Sequence, residues 1–160
     1  MKINSNFIKL RLLEYYRFKR AMLAGTEVNV ARGIADVLAI SIDLKRSYEI
    51  EVKTSIQDLK NDFKNKENKH SKMENDHPYD MTPNYFIFAI PEDLLEKAIL
   101  YLKTKNDKYG IILVEDNGDI KTIKKPKLLN KSDNVKLRHY LDLRLNNQLI
   151  TTLQKLEKLV

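Results

Sequence analysis

The chain has no cysteine, only three histidines, and fewer acidic than basic residues. Without cysteine there are no disulfides and no thiolate metal centre. Histidines in no ligand spacing argue against a classical zinc site. No apolar run approaches the roughly 20 residues that cross a bilayer. The first residues, MKINSNFIKLRL, break their apolar positions with charge too early for a signal peptide. These absences lead us to expect a cytoplasmic protein. Its 160 residues are enough for one domain, spanning 1–160, with its own hydrophobic core.

Charge and patterning are the positive features. Lysine and arginine number 29 against 22 acids, a formal net charge of +7. Such a surface attracts polyanions, but a solvated lysine-rich surface has the same sum, so the positions of the lysines decide. Residues 5–23 predict a helix capped by Ser5, with Phe7, Leu10, Phe18 and Met22 on its apolar stripe and Gly25 as its stop. Residues 27–31 read as a short strand. The nearly all-apolar 34–42 reads as a central strand covered on both faces. A tight turn over 43–47 leads to an alternating strand at 48–54, antiparallel by proximity.

Ser55 opens a helix with Ile56, Leu59 and Phe63 on one side, followed by a polar loop over 65–83. Beyond it come a buried strand at 84–90, a helix over 92–104 entered through Pro91, and a buried strand at 109–114. Asn117-Gly118 turns into a strand at 119–124. A final helix covers about 133–159, with Leu145, Leu149, Leu153, Leu156 and Val160 spaced by four and three. That stripe packs on the sheet or on a partner, the sheet being favoured. The fold class is α/β: a mixed central sheet flanked by helices, its core over about 5–125, plus a long C-terminal helix.

Three groups of charge break these patterns. Asp36 lies in an apolar strand, on the face of Leu38, Ile40 and Ile42 by alternation, where a carboxylate is costly without a partner. Glu49, Glu51 and Lys53 share a face of the next strand, with Ile50 and Val52 opposite. Glu14 interrupts the helix stripe between Leu10 and Phe18. Each has a plainer reading: Asp36 as a buried acid that caps backbone or pairs with an arginine, an exposed E-x-K strand, and Glu14 paired with Arg11 or Arg17. Taken together and in this order they suit a hard cation, because Mg²⁺ takes one or two carboxylates plus water and phosphate. Asp36 and Glu51 supply the carboxylates, the Val52 carbonyl is a further candidate, and Glu49 competes with Glu51. Lys53 would stand beside the metal and act on water or phosphate.

Ile34-Ala35-Asp36 followed by Glu51-Val52-Lys53 resembles the PD-(D/E)XK nuclease superfamily, and the stretches RGIADVLAI, YEIEVKTSIQDLKNDF, PNYFIFAIPEDL and YGIILV look like its MmcB-type DNA-repair and phage nuclease-like members. The resemblance covers roughly residues 8–125. It implies a restriction-endonuclease-like αβββαβ core. It also implies Mg²⁺ (or Mn²⁺) held by Asp36 and Glu51, Lys53 as the catalytic lysine, and Glu14 as the acid of the first helix. Gln57 is the nearest match for a further polar residue. The proline that often precedes the first acid is absent here.

A DNA nuclease acting in repair, recombination or phage DNA processing follows as the expected function. DNA contacts would come from Arg17 and Arg20 and from Lys60, Lys64 and Lys72, with Lys66 and Lys69 in the same run. His70 and His77 reach a phosphate or stand free in a loop. Lys121 to Lys127 form a second basic cluster. Two rivals remain. One is a non-catalytic DNA-binding module retaining the fold; the other is an interaction subunit that forms a homodimer through the final helix.

Overall fold

The computed structural model describes residues 3–30, 33–74, 82–131 and 133–159, apart from the side chains at 72 and 74. Helix α1 (Ser5–Glu14) runs into a π turn over Tyr15–Lys19. Strands β1 (Met22–Val30), β2 (Gly33–Ser41) and β3 (Ser47–Val52) follow, then helices α2 (Ile56–Asn65) and α3 (Glu67–Glu74). Strand β4 (Tyr85–Pro91) leads through a 3₁₀ turn to α4 (Leu95–Leu102). The chain closes with β5 (Gly110–Val114), β6 (Ile120–Lys124) and α5 (Val135–Glu157). The six strands form one sheet in sequence order. β1–β2, β2–β3 and β5–β6 pair antiparallel, whereas β3–β4 and β4–β5 are parallel and joined by helical crossovers. This is an α/β fold with a mixed six-stranded sheet and a long C-terminal helix.

Each face of the sheet has its own cover. Ile8, Leu12 and Tyr16, one turn apart on α1 and the π turn, pack on Val37, Ala39, Ile50, Val52, Ile87 and Ile112. On the other face Leu59, Met73, Leu94 and Ala98 cover Phe86, Phe88, Ile90 and Ile111. Leu137 and Leu141 of α5 cover Val28, Leu38 and Ile40 on the same side. Each fully buried side chain of this size contributes about 1.5–3 kcal/mol. The start of α5 is tied down where the Asn134 side chain donates to the carbonyl of Leu44 (2.7 Å) and accepts from Ser47 (2.6 Å).

Several sequence expectations are corrected. The first helix, with its π turn, ends at Lys19, four residues early, because the backbone turns left-handed at Ala21 (φ 50°) and Met22 and Leu23 pair with Ser41 and Ile40 in the sheet. Gly25 is therefore a strand residue, set where α5 crosses: a Cβ there would lie 2.7 Å from Leu141 Cδ1. The helix cap is Asn4, whose Oδ1 accepts from the Phe7 amide at 2.9 Å, not Ser5. The buried stripe runs through Ile8, Leu12 and Tyr16, whereas Leu10 and Phe18 are 50% and 79% exposed. Pro91 closes β4 and directly precedes the expected helical run, as the cap of the 3₁₀ turn Glu92–Leu94 and not as its first residue. Part of the expected loop is helical, as α3; His77 lies outside the described residues. Asn117-Gly118 makes the expected turn, with Gly118 at φ 90°.

Alternation along β2 changes phase at Asp36. Val37 and Ala39 pack under α1 and Leu38 and Ile40 under α5, yet Ala35 also joins the α5 side. Opposite Asp36 in the hairpin is Glu27, in the left-handed region at φ 52°, while the pairs on either side keep register. Such a backbone costs a residue with a Cβ about 1–2 kcal/mol. Lys9 of α1 bonds both Glu27 and Asp36 and offsets part of that cost.

Candidate functional site

β3 alternates as its sequence requires: Tyr48, Ile50 and Val52 enter the core beneath α1, so Glu49 and Glu51 point to the opposite face, beneath α2 and α3. Both glutamates are buried, and Lys53, just past the strand end, is 5% exposed. Uncompensated, this would cost several kcal/mol per charge. The compensation comes from α2, α3 and their junction. Lys69 Nζ lies 2.5 Å from Glu49 Oε1 and also binds Glu51 Oε1. Lys66 Nζ sits 3.0 Å from Glu51 Oε2 and 2.9 Å from Asp62 Oδ1. Lys53 Nζ is 2.8 Å from Asp62 Oδ1 and 3.5 Å from Glu51 Oε2. Three buried carboxylates thus face three ammonium groups. The His70 ring extends the cluster, with Nε2 2.9 Å from Asp62 Oδ2 and Nδ1 2.8 Å from the Tyr109 hydroxyl. Phe63 stacks on that ring, with centroids 4.3 Å apart.

Asp36 reaches the same strand end from β2. Its Oδ2 accepts the Val52 amide at 2.8 Å, and its Oδ1 lies 3.0 Å from Lys9 Nζ. It therefore caps backbone, the plainer of the two sequence readings. It also stands close enough to Glu51 for the two charges to repel.

The two central acids respond in opposite directions. Burial pushes the Glu51 carboxyl above its ordinary value; Lys69 pulls it down, and the charges of Asp36 and Glu49 push it up again. Burial also pushes Asp62 up, but hydrogen bonds from His70, Lys53 and Lys66 outweigh it and hold Asp62 well below the carboxylate range. For Lys69, burial favours the neutral amine, yet Glu49 and Glu51 prevail and keep it charged. Stability from Asp62 is thus present above about pH 4 and lost as acid protonates the folded protein. Stability from Glu51 is present below that pH and lost as pH rises through its raised folded value. We expect Glu51→Gln to gain stability relative to the wild type as pH rises above about 4. Urea unfolding at several pH values measures this, and a parallel pH profile for the two proteins would contradict it.

Of the expected site residues, Asp36, Glu49, Glu51, Val52 and Lys53 meet at one end of β2 and β3. At Val52 the structure engages the amide, through Asp36. Glu14 is a correction: it lies on α1, across the sheet from the buried glutamates, paired with Arg11 at 2.7 Å and lining a surface pocket with Phe18, Lys19 and Asn117. Its helix stripe turns outward because the core stripe is Ile8–Leu12–Tyr16. Arg17 lies in the π turn and Arg20 caps it, on α1's side, where Arg20 lies over Tyr48 at 5.9 Å, so they do not gather at the acids. Gln57 is exposed and donates to Asn61 (2.9 Å). Lys60 and Lys64 are exposed on α2, and Lys60 lies over the Tyr101 ring at 5.9 Å. Lys72 belongs to α3, its side chain outside the described set.

Asp62, Lys66, Lys69 and His70 join the site although their sequence reads as a diluted basic run. A signal was present. Leu59, Asp62, Phe63, Lys66, Lys69, His70 and Met73 repeat at three- and four-residue steps across the α2–α3 junction, the spacing of a buried face. Among the described residues no group of three or more acids, histidines or cysteines is arranged around a metal position, and no helix is long and apolar enough to cross a membrane.

No family model matches this chain, and no curated protein matches it. Among solved structures it is similar to the SPO1766 protein of unknown function from Silicibacter pomeroyi, at 14% sequence identity and a TM-score of 0.64. That match covers 98% of this chain and 94% of the other, and speaks to the fold alone.

Proposed function

We propose that this chain is a DNA nuclease of the restriction-endonuclease-like, PD-(D/E)XK kind, which hydrolyses phosphodiester bonds with a divalent cation, Mg²⁺ or Mn²⁺. The observation that carries the reading is the convergence of Asp36, Glu51 and Lys53 where β2 and β3 part. The element order also supports it: one helix, three strands, a helical crossover, and a parallel strand beside β3.

The donor set suits a hard cation in kind. Asp36 and Glu51 offer carboxylate oxygens from neighbouring strands, two carboxylates are enough for Mg²⁺, and the Val52 carbonyl follows Glu51 directly in sequence. Glu51 adds a specific indication. With three ammonium groups already on it, burial and the charges of Asp36 and Glu49 still hold its carboxyl above its ordinary value. Asp36 and Glu49 are the negative neighbours that a cation at Glu51 would meet. When bound there, the cation would polarise a phosphate oxygen and lower the pKa of a water.

The chain's own residues do the rest. Asp36 is held through the Val52 amide at Oδ2 and through Lys9 at Oδ1, which together fix the orientation of its carboxylate. Asp62 holds the Lys53 ammonium at 2.8 Å and aims it beside Glu51, where it neutralises charge building on a phosphate. Burial beneath α2 and α3 lowers the local dielectric and strengthens these terms. The exposed Lys60 and Lys64 of α2 add phosphate contacts without base specificity.

The test is cleavage of labelled linear duplex, single-stranded, flap and four-way-junction DNA with Mg²⁺, Mn²⁺ or EDTA. We expect cutting that EDTA abolishes and that Lys53→Met reduces by about 100-fold or more, the scale of losing one electrostatic stabiliser. Full activity in EDTA, or in Lys53→Met, would sink the proposal. DNA binding without any cutting would favour a module that keeps the fold and has lost the reaction.

A further inference from the structure

We infer that the exposed run Arg17-Phe18-Lys19-Arg20 is a platform for single-stranded nucleic acid, on α1's side of the sheet and separate from the carboxylate cluster. The platform stacks bases and holds phosphates. It needs neither a metal nor cleavage, so it can fail while the reading above holds, and the reverse.

Phe18 is the observation that carries it. Its ring is 79% exposed, and Arg17, Lys19 and Arg20 around it in sequence are exposed too. The cause is the backbone. α1 and its extension bury Ile8, Leu12 and Tyr16 at four-residue steps. From Tyr15 the helix widens into the π turn, and at Ala21 the chain turns left-handed into β1. The four residues between Tyr16 and Ala21 are thereby left outside the core. Wide turns of this kind are frequent at functional sites.

The run stands on an ordered aromatic base. Tyr15 and Tyr16 meet edge-on with centroids 5.2 Å apart, Tyr16 leans on Tyr48 at 5.6 Å, and Tyr48 stacks on Tyr85 at 4.9 Å. Arg20 lies over Tyr48 at 5.9 Å and donates to the Tyr15 hydroxyl at 3.4 Å. These contacts hold Arg20 and Tyr15 in place before a ligand arrives, which lowers the ordering cost of binding. Beside Phe18 a surface pocket of about 310 Å³ is lined also by Tyr15, Lys19 and Ile120. It lies at the small end of ligand sites and has room for a base turned out of a strand. Two acids line it as well, and each already has a partner: Glu14 pairs with Arg11 at 2.7 Å, and Asp119 accepts from Asn117 at 2.9 Å.

Charge and shape together select the ligand. Three cations within four residues attract phosphates. In a duplex the base faces are closed within the stack, whereas in a single strand they are free to lie on an aromatic ring, whatever the base. An apolar socket on a protein partner would have to accept three cations along with Phe18.

The experiment is fluorescence anisotropy of the full chain in EDTA, with labelled oligo(dT) and oligo(U) of about 12 nucleotides and a blunt DNA duplex. We expect Phe18→Ser to weaken single-strand binding by about tenfold or more and to leave duplex binding within about twofold. The Arg17→Met, Lys19→Met double variant should lower the slope of log affinity against log salt by about 1.4, the share of two phosphate contacts. Ile42→Ser, which removes a 69% exposed apolar side chain elsewhere, keeps wild-type binding. The chain has no tryptophan, so Phe18→Trp places a single reporter in the platform, and a base stacked on it should quench its emission.

Binding of either oligonucleotide with these losses supports the inference, and the tighter of the two identifies the strand as DNA or RNA. Equal single-strand affinity of wild type and Phe18→Ser, an equal loss for single strand and duplex, or an unchanged salt slope overturns it. If Phe18→Ser does not fold, Phe18→Trp decides: quenching by oligonucleotide supports stacking, and unchanged emission overturns it. A wild type that binds no oligonucleotide also overturns it and leaves Phe18 to a protein or a lipid surface. None of these results bears on cleavage at the carboxylate cluster.

Discussion

Asp62→Ala is expected to lose about 3–5 kcal/mol of folding stability at neutral pH, more than a substitution at any of the cluster's other acids. Its side chain is fully buried and accepts from Lys53 (2.8 Å), Lys66 (2.9 Å) and His70 (2.9 Å). Alanine removes the acceptor and leaves Lys53 with Glu51 at 3.5 Å as its nearest buried counter-charge. The cost is that of stranding charge in the interior and not that of one lost contact. A domain of this size is stable by about 5–15 kcal/mol, so the loss is a large share of the total. Because Asp62 is held below its ordinary value, its contribution is present above about pH 4 and disappears as the folded carboxylate takes up a proton. The deficit of Asp62→Ala should therefore shrink in acid. Urea denaturation at neutral and acid pH reads both effects. A neutral-pH loss below about 1 kcal/mol would show that the cluster is solvated and that burial does not set its energetics.

The same cluster explains why the sequence shows some of this protein and hides the rest. β2, β4 and β5 are legible because YFIFAI and GIILV are apolar throughout and IADVLAI is so apart from Asp36, as strands covered on both faces must be. β3 is legible from strict alternation, and its acids and lysine are conspicuous because nothing in an ordinary core wants them. α3 is not legible in the same way. Its buried face is Lys69, His70 and Met73, and an apolar count sees only the methionine. What buries the other two is charge pairing with Glu49, Glu51 and Asp62, residues up to twenty positions upstream in sequence.

The early end of the first helix was hidden for a different reason. Residues 20–23 suit a helix as well as a strand, and the sheet decides by pairing Met22 through Thr26 with β2. That choice also rotates Glu14 away from the site, since its supposed stripe partners Leu10 and Phe18 face solvent. Asp36 was found for a reason that was half right. Simple alternation places it beneath α5 with Leu38, but the left-handed Glu27 opposite it breaks the phase and sends its carboxylate to the Val52 amide instead.

That double service of Asp36, as a backbone acceptor and as a proposed cation ligand, leads to a substitution series that separates the two roles. Asp36→Asn keeps an oxygen able to accept from Val52 N, now 2.8 Å from the carboxylate, and removes the charge. Asp36→Ala removes both. If the carboxylate only completes the sheet, asparagine should preserve stability and cleavage, and alanine should cost about 1–3 kcal/mol for an unsatisfied buried amide. If it also holds the cation, asparagine should preserve the fold, abolish calorimetric Mn²⁺ binding, and lower DNA cleavage by about 100-fold or more, because a charged ligand outweighs the supporting groups whose loss already costs 10–100-fold. The Lys9 ammonium sharpens the contrast. It lies 3.0 Å from Asp36 Oδ1 and bonds Glu27, and with asparagine in place it keeps Glu27 as a partner, so the fold does not fail for want of a counter-charge. We expect the second pattern: an Asp36→Asn chain that melts within a few degrees of wild type, binds no Mn²⁺ and does not cut. An Asp36→Asn chain that cuts DNA at the wild-type rate would remove Asp36 from the proposed metal site and leave it as a strand cap.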